Sequence, residues 1–393
     1  MNQELPGYAF VLPWSLDSTG GVNEVVKNLI AECRAAGRFR PILVEQHWPS
    51  NEPDILEERN YTHIRIRLRP LNNLSLKIPL AYLISLPSFL MRLSQIVKQH
   101  QIKVVNVHYP SLDSLSWILI RNLGLYAGKV ILSFHGSDIR SANMLRGWPL
   151  FCYRYLLRQA DAVVSCSEGL QTEVRLVESD ITGRVIYNGI NKERFFRESS
   201  SLVAAMEGLS GKEVILNIGR YEYRKGHDIL ISAFRKVLSV RADAHLLIVG
   251  RTGPETEATN ALALRMLPES SVTLLKDLPH QAIPALMKSA SLFAFSSRWV
   301  PGKLGEGFPI AILEAAVASC PIVTTRTCGA DEIVEDNVSG RLVPLENSDA
   351  LACAILDILE DPKKAIDMAK ALKLKVQDNF TWESSYNAYV KLV

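Results

Sequence analysis

The chain has 393 residues, of which 48% are hydrophobic and 22% are charged, so its composition is that of a globular protein and excludes a disordered one. This length is enough for two domains of ordinary size. The formal net charge of +3 is too small to argue for nucleic acid as a partner.

The six cysteines are scattered without C-x-x-C pairs or metal-ligand spacing, which fits a reducing compartment. The N-terminus lacks a basic region followed by a long apolar stretch, so we expect no signal peptide. The most apolar segment, residues 78–91, contains two prolines and is shorter than the roughly 20 residues that span a bilayer. We therefore expect a cytoplasmic protein, with peripheral binding at the inner face of the cytoplasmic membrane left open.

The first half of the chain alternates short apolar runs, typical of buried strands, with longer amphipathic segments. A helix is predicted over residues 22–33, where apolar residues recur at spacings of three and four. Strands separated by segments of helix length indicate parallel βαβ units. The predicted strands are residues 8–12, 41–45, 104–108, 130–134, 162–165 and 184–187.

The same alternation starts again after residue 210. Residues 191–210 are polar and typical of a linker. We predict two α/β domains, residues 1–190 and 191–370, and a C-terminal helix in 371–393 that returns to the first domain. The second half has predicted strands at residues 213–218, 245–249, 272–275, 292–295 and 321–325, and helices over 229–238, 349–360 and from 362 onward.

The strongest functional signal is G-E-G-F-P-I-A-I-L-E-A at residues 305–315. Glu306 lies between two glycines, and Pro309 is predicted in the first turn of a helix that carries Glu314. The start of such a helix suits phosphate, whereas carboxylates suit the hydroxyls of a sugar or ribose. The alternative is a capping acid followed by an exposed helix glutamate.

A second motif, G-R-Y-E-Y-R-K-G at residues 219–226, directly follows the first predicted strand of the second domain. Arg220 can fork onto a diphosphate, and Lys225 can place a compact charge beside it. Both would stabilise the charge of a departing nucleoside diphosphate. A basic surface loop is the alternative, but two motifs that each follow a strand favour one shared site.

The loop S-T-G-G-V at residues 18–22 joins the first strand to the first helix. Gly20 and Gly21 stand where backbone N–H groups can approach a phosphate. The loop lacks the G-x-G-x-x-G pattern, so we do not expect tightly bound NAD.

The segment F-H-G-S-D at residues 134–138 follows another predicted strand. His135 is either a site residue or a structural histidine. Asp138 either faces a ligand or caps the next helix. The segment Y-N-G-I-N at residues 187–191 is predicted to be a turn that ends the first domain.

Together these segments resemble glycosyltransferase family 4, whose G-R-x4-K-G and E-x7-E motifs match residues 219–226 and 306–314. The resemblance runs from Gly20 to Trp382. It implies a GT-B fold, with two Rossmann-like doubly wound parallel-sheet domains that face each other across a cleft. It also implies that a sugar is transferred with retention from a nucleotide-sugar donor. The chain has no D-x-D triplet, and we expect neither a metal ion nor another cofactor.

The resemblance also implies the roles of individual residues. Arg220 and Lys225 would hold the diphosphate, Glu314 the ribose, and Glu306 the donor sugar. The leaving phosphate oxygen would take the acceptor's proton on the same face, with no enzymic nucleophile. The loop at residues 298–304 is longer than is usual in the family, so we do not predict which sugar is transferred. The implied catalytic residues are His135, Arg220, Lys225 and Glu306, and the implied donor-binding residues are Gly20, Gly21, Gly219, Gly307, Phe308, Pro309 and Glu314.

Residues 59–103 contain eight basic side chains and no acidic one. The apolar residues of this region, which begin at Leu74 and Leu76, either pack in the first domain's core or lie on anionic lipid. We expect contact with an anionic membrane surface through this region. The expected donor is a UDP-sugar, and the expected acceptor is a glycan or a lipid-linked molecule in polysaccharide, lipopolysaccharide or glycolipid synthesis.

Two other functions are compatible with this sequence. A UDP-sugar 2-epimerase shares the architecture, but its carboxylate-rich acid-base site has no obvious counterpart here. A non-catalytic sugar-binding scaffold would not need Arg220, Lys225, Glu306 and Glu314 together.

Overall fold

The structure, a computed structural model, describes residues 5–18, 20–46, 49–50, 53–58, 60–67, 77–193 and 208–393. Contacts divide the chain into two compact units. Unit 1 comprises Met1–Asn188 with Trp382–Val393, and unit 2 comprises Gly189–Thr381. The chain thus passes from unit 1 to unit 2 inside the N-G-I-N segment, and most of the linker predicted at residues 191–210 lies outside the described residues.

Unit 1 is built on one twisted sheet. Its described strands are β1 (Gly7–Leu12), β2 (Arg40–Glu45), β3 (Asp54–Glu57), β4 (Thr62–Arg65), β5 (Ile102–His108), β6 (Lys129–Phe134), β7 (Ala162–Ser165) and β8 (Arg184–Val185). Their order is β3-β4-β2-β1-β5-β6-β7-β8, and neighbours are parallel except β3 and β4. The sequence predicted all but β3 and β4, whose four residues each are too few and too charged to give a clear pattern.

Helices α1 (Gly21–Ala36), α2 (Lys77–Gln99) and α6 (Glu168–Val177) of unit 1 pack against this sheet. In the first of them, Val25, Val26 and Leu29 are buried, and the helix ends at Gly37, whose φ of 62° is the left-handed conformation that glycine adopts freely. The described helices are α1 (Gly21–Ala36), α2 (Lys77–Gln99), α3 (Leu115–Asn122), α4 (Ser137–Asn143), α5 (Gly147–Gln159) and α6 (Glu168–Val177).

Helix α2 tests the two alternatives for the basic region at residues 59–103. Its second half buries Leu90, Leu93 and Val97, so this part packs in the core. Ile84 and Met91 on the same helix are exposed, while Leu74 and Leu76 lie outside the described residues. Among the helices that the structure describes, none is long and apolar enough to cross a membrane.

Unit 2 has a second sheet, in which all neighbouring strands are parallel. The sequence predicted every described strand of this sheet except the three-residue edge strand at Arg341–Val343. The strands are β9 (Glu213–Ile218), β10 (Ala244–Gly250), β11 (Val272–Lys276), β12 (Leu292–Phe295), β13 (Ile322–Thr325) and β14 (Arg341–Val343), in the order β11-β10-β9-β12-β13-β14. The helices are α7 (His227–Leu238), α8 (Thr256–Met266), α9 (Ile283–Ser289), α10 (Ile310–Val317), α11 (Ala330–Ile333), α12 (Ser348–Glu360) and α13 (Pro362–Asn379).

The strand order of each sheet reverses at one point. In unit 1 the reversal lies between β1 and β5, and in unit 2 it lies between β9 and β12. Loops that follow the two strands at such a reversal diverge to opposite sides and leave a crevice at the carboxyl ends of the strands. In unit 2 these are the loops that contain the two strongest motifs of the sequence.

The last helix, α14 (Trp382–Val390), belongs to unit 1 and packs on α1. Ser385 Oγ donates to the carbonyl oxygen of Tyr187 at 2.6 Å, and Tyr389 Oη donates to Ser133 Oγ at 3.1 Å. The returning segment starts at Trp382, not at residue 371 as predicted, because α13 is part of unit 2. Ala365 and Met368 of α13 are buried in the core of unit 2.

Candidate active site

The loops after β9 and β12 are fastened to each other at the reversal point of unit 2. Gly226 has a φ of 64°, and a Cβ atom there would lie 2.1 Å from the carbonyl oxygen of Ser296, so glycine is required. Ser296 Oγ donates to the carbonyl oxygen of Lys225 at 2.9 Å, and the Arg298 N–H donates to that of Arg224 at 2.7 Å. The structure therefore brings together the G-R-x4-K-G loop and the chain that leads to Glu306.

Glu306 is the centre of the resulting charge cluster. Its two carboxylate oxygens pair with Lys225 Nζ at 2.9 Å and Arg224 Nη1 at 3.0 Å, and Ser297 Oγ donates to it at 3.2 Å. Burial opposes ionisation of this carboxyl, but Lys225 and Arg224 outweigh it and lower the pKa of Glu306 to about 2. Glu306 is therefore ionised throughout the physiological range.

Glu222 links this cluster to Arg220. One of its oxygens lies 2.9 Å from Arg220 Nη1, and the other lies 2.5 Å from Arg224 Nε. The five side chains form an alternating chain of three cations and two carboxylates that ends at Arg220, half of whose side chain is exposed. The sequence predicted Arg220, Lys225 and Glu306 but not Glu222 and Arg224, although both stand inside the same motif as an acid and a base two residues apart.

A buried arginine that the sequence did not single out supports the same loops. The guanidinium of Arg298 forks onto Asp228 at 2.9 and 2.6 Å and pairs with Glu346 at 2.7 Å. It also lies 4.1 Å from the centre of the Tyr223 ring and donates to that residue's carbonyl oxygen. Arg298 thus ties the loop after β12 to the loop after β9 and to the start of α7, and it has no part in the exposed end of the charge chain.

Glu314 lies on α10 and contacts a histidine from the loop after β11. Its Oε1 atom is 3.0 Å from Nε2 of His280, which is largely exposed. Helix α10 starts at Ile310, so Pro309 precedes the helix and does not occupy its first turn as predicted. Glu314 is therefore on the second turn of the helix, near the edge of the sheet where the charge cluster lies.

Two further residues of the predicted donor site, Phe308 and Gly219, differ in what surrounds them. The Phe308 side chain is buried, with its ring centre 5.8 Å from that of Phe380. Its side chain thus faces the core, and a ligand would meet the backbone of residues 307–308. A Cβ atom at Gly219 would lie 3.1 Å from Lys225 Cδ, so glycine keeps room for the lysine stem.

In unit 1, the loop after β1 is held by Asn23 of α1. Its side-chain amide donates to the carbonyl oxygens of Ser15 and Leu16, each at 3.1 Å, and accepts from Trp14 Nε1 at 2.6 Å. A Cβ atom at Gly20 or Gly21 would meet nothing within 4 Å. Local packing therefore requires neither glycine. Thr19 lies outside the described residues.

His135 stands at the end of β6 and is paired with a second histidine. Its Nε2 atom lies 3.0 Å from Nδ1 of His108, the last residue of β5, and the two rings stack. Burial lowers the pKa of both imidazoles, that of His135 to about 4. One ring must donate and the other accept, so the pair is neutral near pH 7 with complementary tautomers.

Asp138, for which the sequence left two roles open, holds the backbone of this turn. Its carboxylate accepts from the N–H groups of His135, Gly136 and Ile139 at 2.7–2.9 Å. Burial raises the pKa of Asp138 to about 6, despite these hydrogen bonds, which lower it. Asp138 therefore acts on the turn itself and fixes the position of His135.

Two family models match the chain. The model of Glycosyltransferase Family 4 matches residues 19–194, and that of Glycosyl transferases group 1 matches residues 205–375. The chain belongs to glycosyltransferase family 4. The family predicted from the motifs at residues 219–226 and 305–315 is thus confirmed.

Similar proteins agree with this assignment. A GDP-mannose-dependent alpha-(1-6)-phosphatidylinositol monomannoside mannosyltransferase of Mycolicibacterium smegmatis is 27% identical over 317 residues, which is 78% of this chain and 80% of that protein. N-acetyl-alpha-D-glucosaminyl L-malate synthase of Bacillus anthracis is 23% identical over 302 residues, or 76% of each chain. The glycosyltransferase activity predicted from the sequence is confirmed at this level.

Solved structures show the fold. Sucrose-phosphate synthase of Thermosynechococcus elongatus has a TM-score of 0.75 at 21% identity, with 98% of each chain covered. Alr3699/HepE of Anabaena in complex with UDP and glucose has a TM-score of 0.72 at 19% identity, again with 98% of each chain covered. The predicted GT-B fold of this glycosyltransferase is confirmed.

Proposed function

We propose that the enzyme transfers a sugar from a UDP-sugar, with retention of its anomeric configuration, to a glycan or lipid-linked acceptor of the cell envelope. The observation that carries this proposal is the charge chain from Arg220 to Lys225 and Glu306 at the carboxyl edge of the unit 2 sheet. HepE, which is similar in fold, was solved with UDP. GDP-mannose is the second candidate donor, because the M. smegmatis relative is GDP-mannose-dependent.

The charge chain suits a diphosphate that gains charge as it leaves. Three cations face two carboxylates, so the chain carries one net positive charge before a ligand arrives. The exposed Arg220 fork would bind the diphosphate oxygens, and Lys225 would turn from Glu306 towards them. Because the added charge comes from side chains, we propose that no metal ion or other cofactor is needed.

Glu306 and Glu314 are proposed to bind hydroxyls. An ionised carboxylate accepts hydrogen bonds from a vicinal diol, and the pKa of Glu306, about 2, keeps it ionised. Glu306, with the backbone of residues 307–308, would hold the donor sugar. Glu314 would hold the ribose after releasing His280, whose exposed ring can turn away.

His135, Gly20 and Gly21 are proposed to complete the donor site. The backbone N–H groups at Gly20 and Gly21 would approach the diphosphate, and the neutral His135 imidazole would contact the sugar near the breaking bond. In the proposed reaction the C1–O bond to the diphosphate breaks, and the acceptor oxygen bonds to C1 on the same face. The leaving phosphate oxygen takes the acceptor's proton, so no enzymic nucleophile is required.

A lipid-linked acceptor is supported by two features. The M. smegmatis relative is named for a phosphatidylinositol monomannoside acceptor, and residues 59–103 contain no acidic side chain. Part of that basic region is already neutralised, since Arg65 pairs with Asp54 at 3.3 Å and lies 3.7 Å from Glu45. We propose a cytoplasmic enzyme that meets its acceptor at the inner face of the cytoplasmic membrane.

The first test is thermal unfolding with UDP, GDP, ADP, TDP and CMP in parallel, with and without EDTA. A ligand at 100 times its Kd adds about 2.7 kcal/mol, which raises the unfolding midpoint by several degrees. We expect a shift with UDP that EDTA leaves unchanged and that Arg220→Ala removes. Arg265→Ala, at an exposed position of α8, is the matched control and should keep the shift.

The other outcomes discriminate between the alternatives. A higher unfolding midpoint with GDP alone would indicate a GDP-sugar donor in place of a UDP-sugar. Loss of the midpoint shift in EDTA would contradict the proposal that no metal ion is needed. No shift with any nucleotide would favour the non-catalytic scaffold. Conversion of UDP-N-acetylglucosamine without an acceptor would favour the 2-epimerase, whereas NMR of the product anomer tests retention directly.

A further inference from the structure

Helix α5 and the turn before it present large apolar side chains to solvent. We call Met144, Trp148, Phe151 and Tyr155 the α5 surface. Met144 is 77% exposed, Trp148 64% and Phe151 59%, and the Trp148 and Phe151 rings stack with centres 5.4 Å apart. Tryptophan and phenylalanine are usually buried, so a stacked and exposed pair of these rings points to a contact surface.

This surface is not needed to pack α5 in unit 1. The opposite face of the helix buries Tyr153, Leu156 and Leu157, and Tyr153 Oη donates to the carbonyl oxygen of Pro110 at 3.1 Å. Trp148 and Phe151 are three residues apart, so both stand on the outer side of the helix. Helix α5 therefore has two apolar faces. One packs in the core of unit 1, and the other is exposed.

The charged residues of the α5 segment itself are all basic. No acidic residue occurs between Asp138 and Asp161, a stretch that contains the exposed Arg146, Arg154 and Arg158. Glu178 pairs with Arg158 at 2.7 Å and lies 4.0 Å from Arg154, so it compensates one positive charge. It is itself buried, and the outer surface remains cationic.

A second acid-free segment reaches the same side of unit 1. Helix α3 packs against both α2 and α5. On α2, Ile84 is 75% and Met91 61% exposed, and this helix lies in the basic segment without acidic residues. Two segments distant in sequence, on helices that both contact α3, thus combine exposed apolar side chains with charged residues that are all basic.

We propose that the α5 surface docks on anionic lipid, with the Trp148 and Phe151 rings at the boundary between headgroups and acyl chains. Arg146 and Arg154 would bind lipid phosphates. A lipid surface fits better than a protein partner because it offers negative charge everywhere and requires no complementary acidic pattern. The inference rests on the proposed action at a membrane, but it concerns residues outside the basic region at 59–103.

The experiment is co-sedimentation of the full chain with vesicles of phosphatidylcholine, alone or mixed with phosphatidylglycerol. We expect binding to the mixed vesicles only, weakened by added salt. The double variant Trp148→Ser/Phe151→Ser should bind at least about tenfold more weakly, because the inserting apolar area is lost. Leu264→Ser/Leu374→Ser, which removes two exposed leucines of unit 2, is the matched control and should bind like the wild type.

Three results would overturn the inference. One is wild-type binding to neither vesicle or to both equally, and another is unchanged binding of the Trp148→Ser/Phe151→Ser variant. The third is a dimer of the wild type that this variant converts to a monomer, which would assign the surface to a second copy of the chain.

Thermal shifts with nucleotides separate this inference from the proposed function. The Trp148→Ser/Phe151→Ser variant should keep the wild-type unfolding midpoint and the wild-type UDP shift, because both substituted side chains are exposed. Vesicle binding without any nucleotide shift would remove the proposed function and leave the docking surface in place. A shift of the unfolding midpoint with nucleotide, but no vesicle binding, would leave the proposed function in place and remove the docking surface.

Discussion

The candidate residues of the two units use opposite electrostatics. At the edge of the unit 2 sheet, Lys225, Arg224 and Glu306 are ionised and satisfy one another. At the edge of the unit 1 sheet, His108 and His135 are held neutral by burial. A paired charge cluster can exchange one anion for another, as diphosphate binding requires, whereas a neutral histidine pair can donate or accept a hydrogen bond without attracting phosphate. We therefore expect substitutions in the charge cluster and in the histidine pair to change different measurable properties of the enzyme.

The largest expected effect follows Lys225→Ala. If Lys225 has the proposed role, its loss removes charge stabilisation from the leaving diphosphate, and it also leaves one oxygen of the buried Glu306 without its ion pair. Turnover should fall by about 10²–10³-fold, and the thermal shift with UDP should shrink. Steady-state kinetics and unfolding midpoints measure both. Lys370→Ala, at an exposed position of α13, is the control, and a near-normal rate in Lys225→Ala would contradict the assigned role.

The substitution His135→Ala should lower turnover without weakening nucleotide binding. Turnover should fall by about 10²-fold, as for a group that contacts the reacting centre. The UDP shift should persist, because no nucleotide contact is assigned to His135. If this variant lost the shift while Lys225→Ala kept it, the proposed division between the two edges would be reversed.

Acid should weaken both units, because burial lowers the pKa of His135 in unit 1 and of His227 in unit 2 to about 4. Burial lowers the pKa of His135 from 6.5 to about 4, so between these values the unfolded chain binds a proton that the native state does not, and stability is lost as pH falls. His108 adds to this effect, while Asp138, whose pKa is raised to about 6, opposes it below that pH. The pKa of Glu306 is lowered from 4.5 to about 2, so its contribution is present above pH 4.5 and lost only below it.

Tryptophan fluorescence can follow the unfolding of unit 1, since five of the six tryptophans belong to it. Between pH 6.5 and 4.5 we expect His135 by itself to lower the free energy of unfolding by about 2 kcal/mol, of which Asp138 offsets a large part. His135→Gln should reduce the slope, and Glu306→Gln should leave it unchanged. A slope that depends on Glu306 in this window would contradict the assignment.

The smallest effect is expected for Glu222→Gln. The amide keeps the shape but loses the charge that orients Arg220 and Arg224, so kcat/KM should fall about tenfold, equivalent to about 1.4 kcal/mol. If Glu222 positions Arg220 for the leaving group, the loss should appear in kcat more than in KM. Glu360→Gln, at the exposed end of α12, is the control. An unchanged rate would show that Arg220 needs no positioning by Glu222.

Most strands could be predicted because they are buried on both faces and read as continuous apolar runs. β9 was predicted with its observed bounds, Glu213–Ile218. The edge strands β3 and β14, and β4 next to β3, were missed, since they have three or four residues and include charged ones. Their pairing depends on neighbouring strands, which a local pattern does not contain.

The candidate site could be predicted in part for the same reason. Arg220, Lys225 and Glu306 stand in motifs that follow strands, whereas Arg298 carries no motif and is recognisable only by its buried pairs. Asp138 could be assigned to the His135 turn only once its three backbone donors were located. Buried polar groups need partners, and those partners are fixed by the fold.

The amino-acid sequence alone is enough to predict the family, the alternation of strands and helices, and the position of each motif at the end of a strand. These properties follow from backbone preferences and apolar periodicity over a few residues. Two contacts could be found only in the folded chain: Arg224 pairs with Glu306, 82 residues away, and α14 brings Tyr389 to Ser133. Both contacts depend on strand order, which placed β12 beside β9 and left α13 in unit 2, and such long-range choices are made by packing of the whole core.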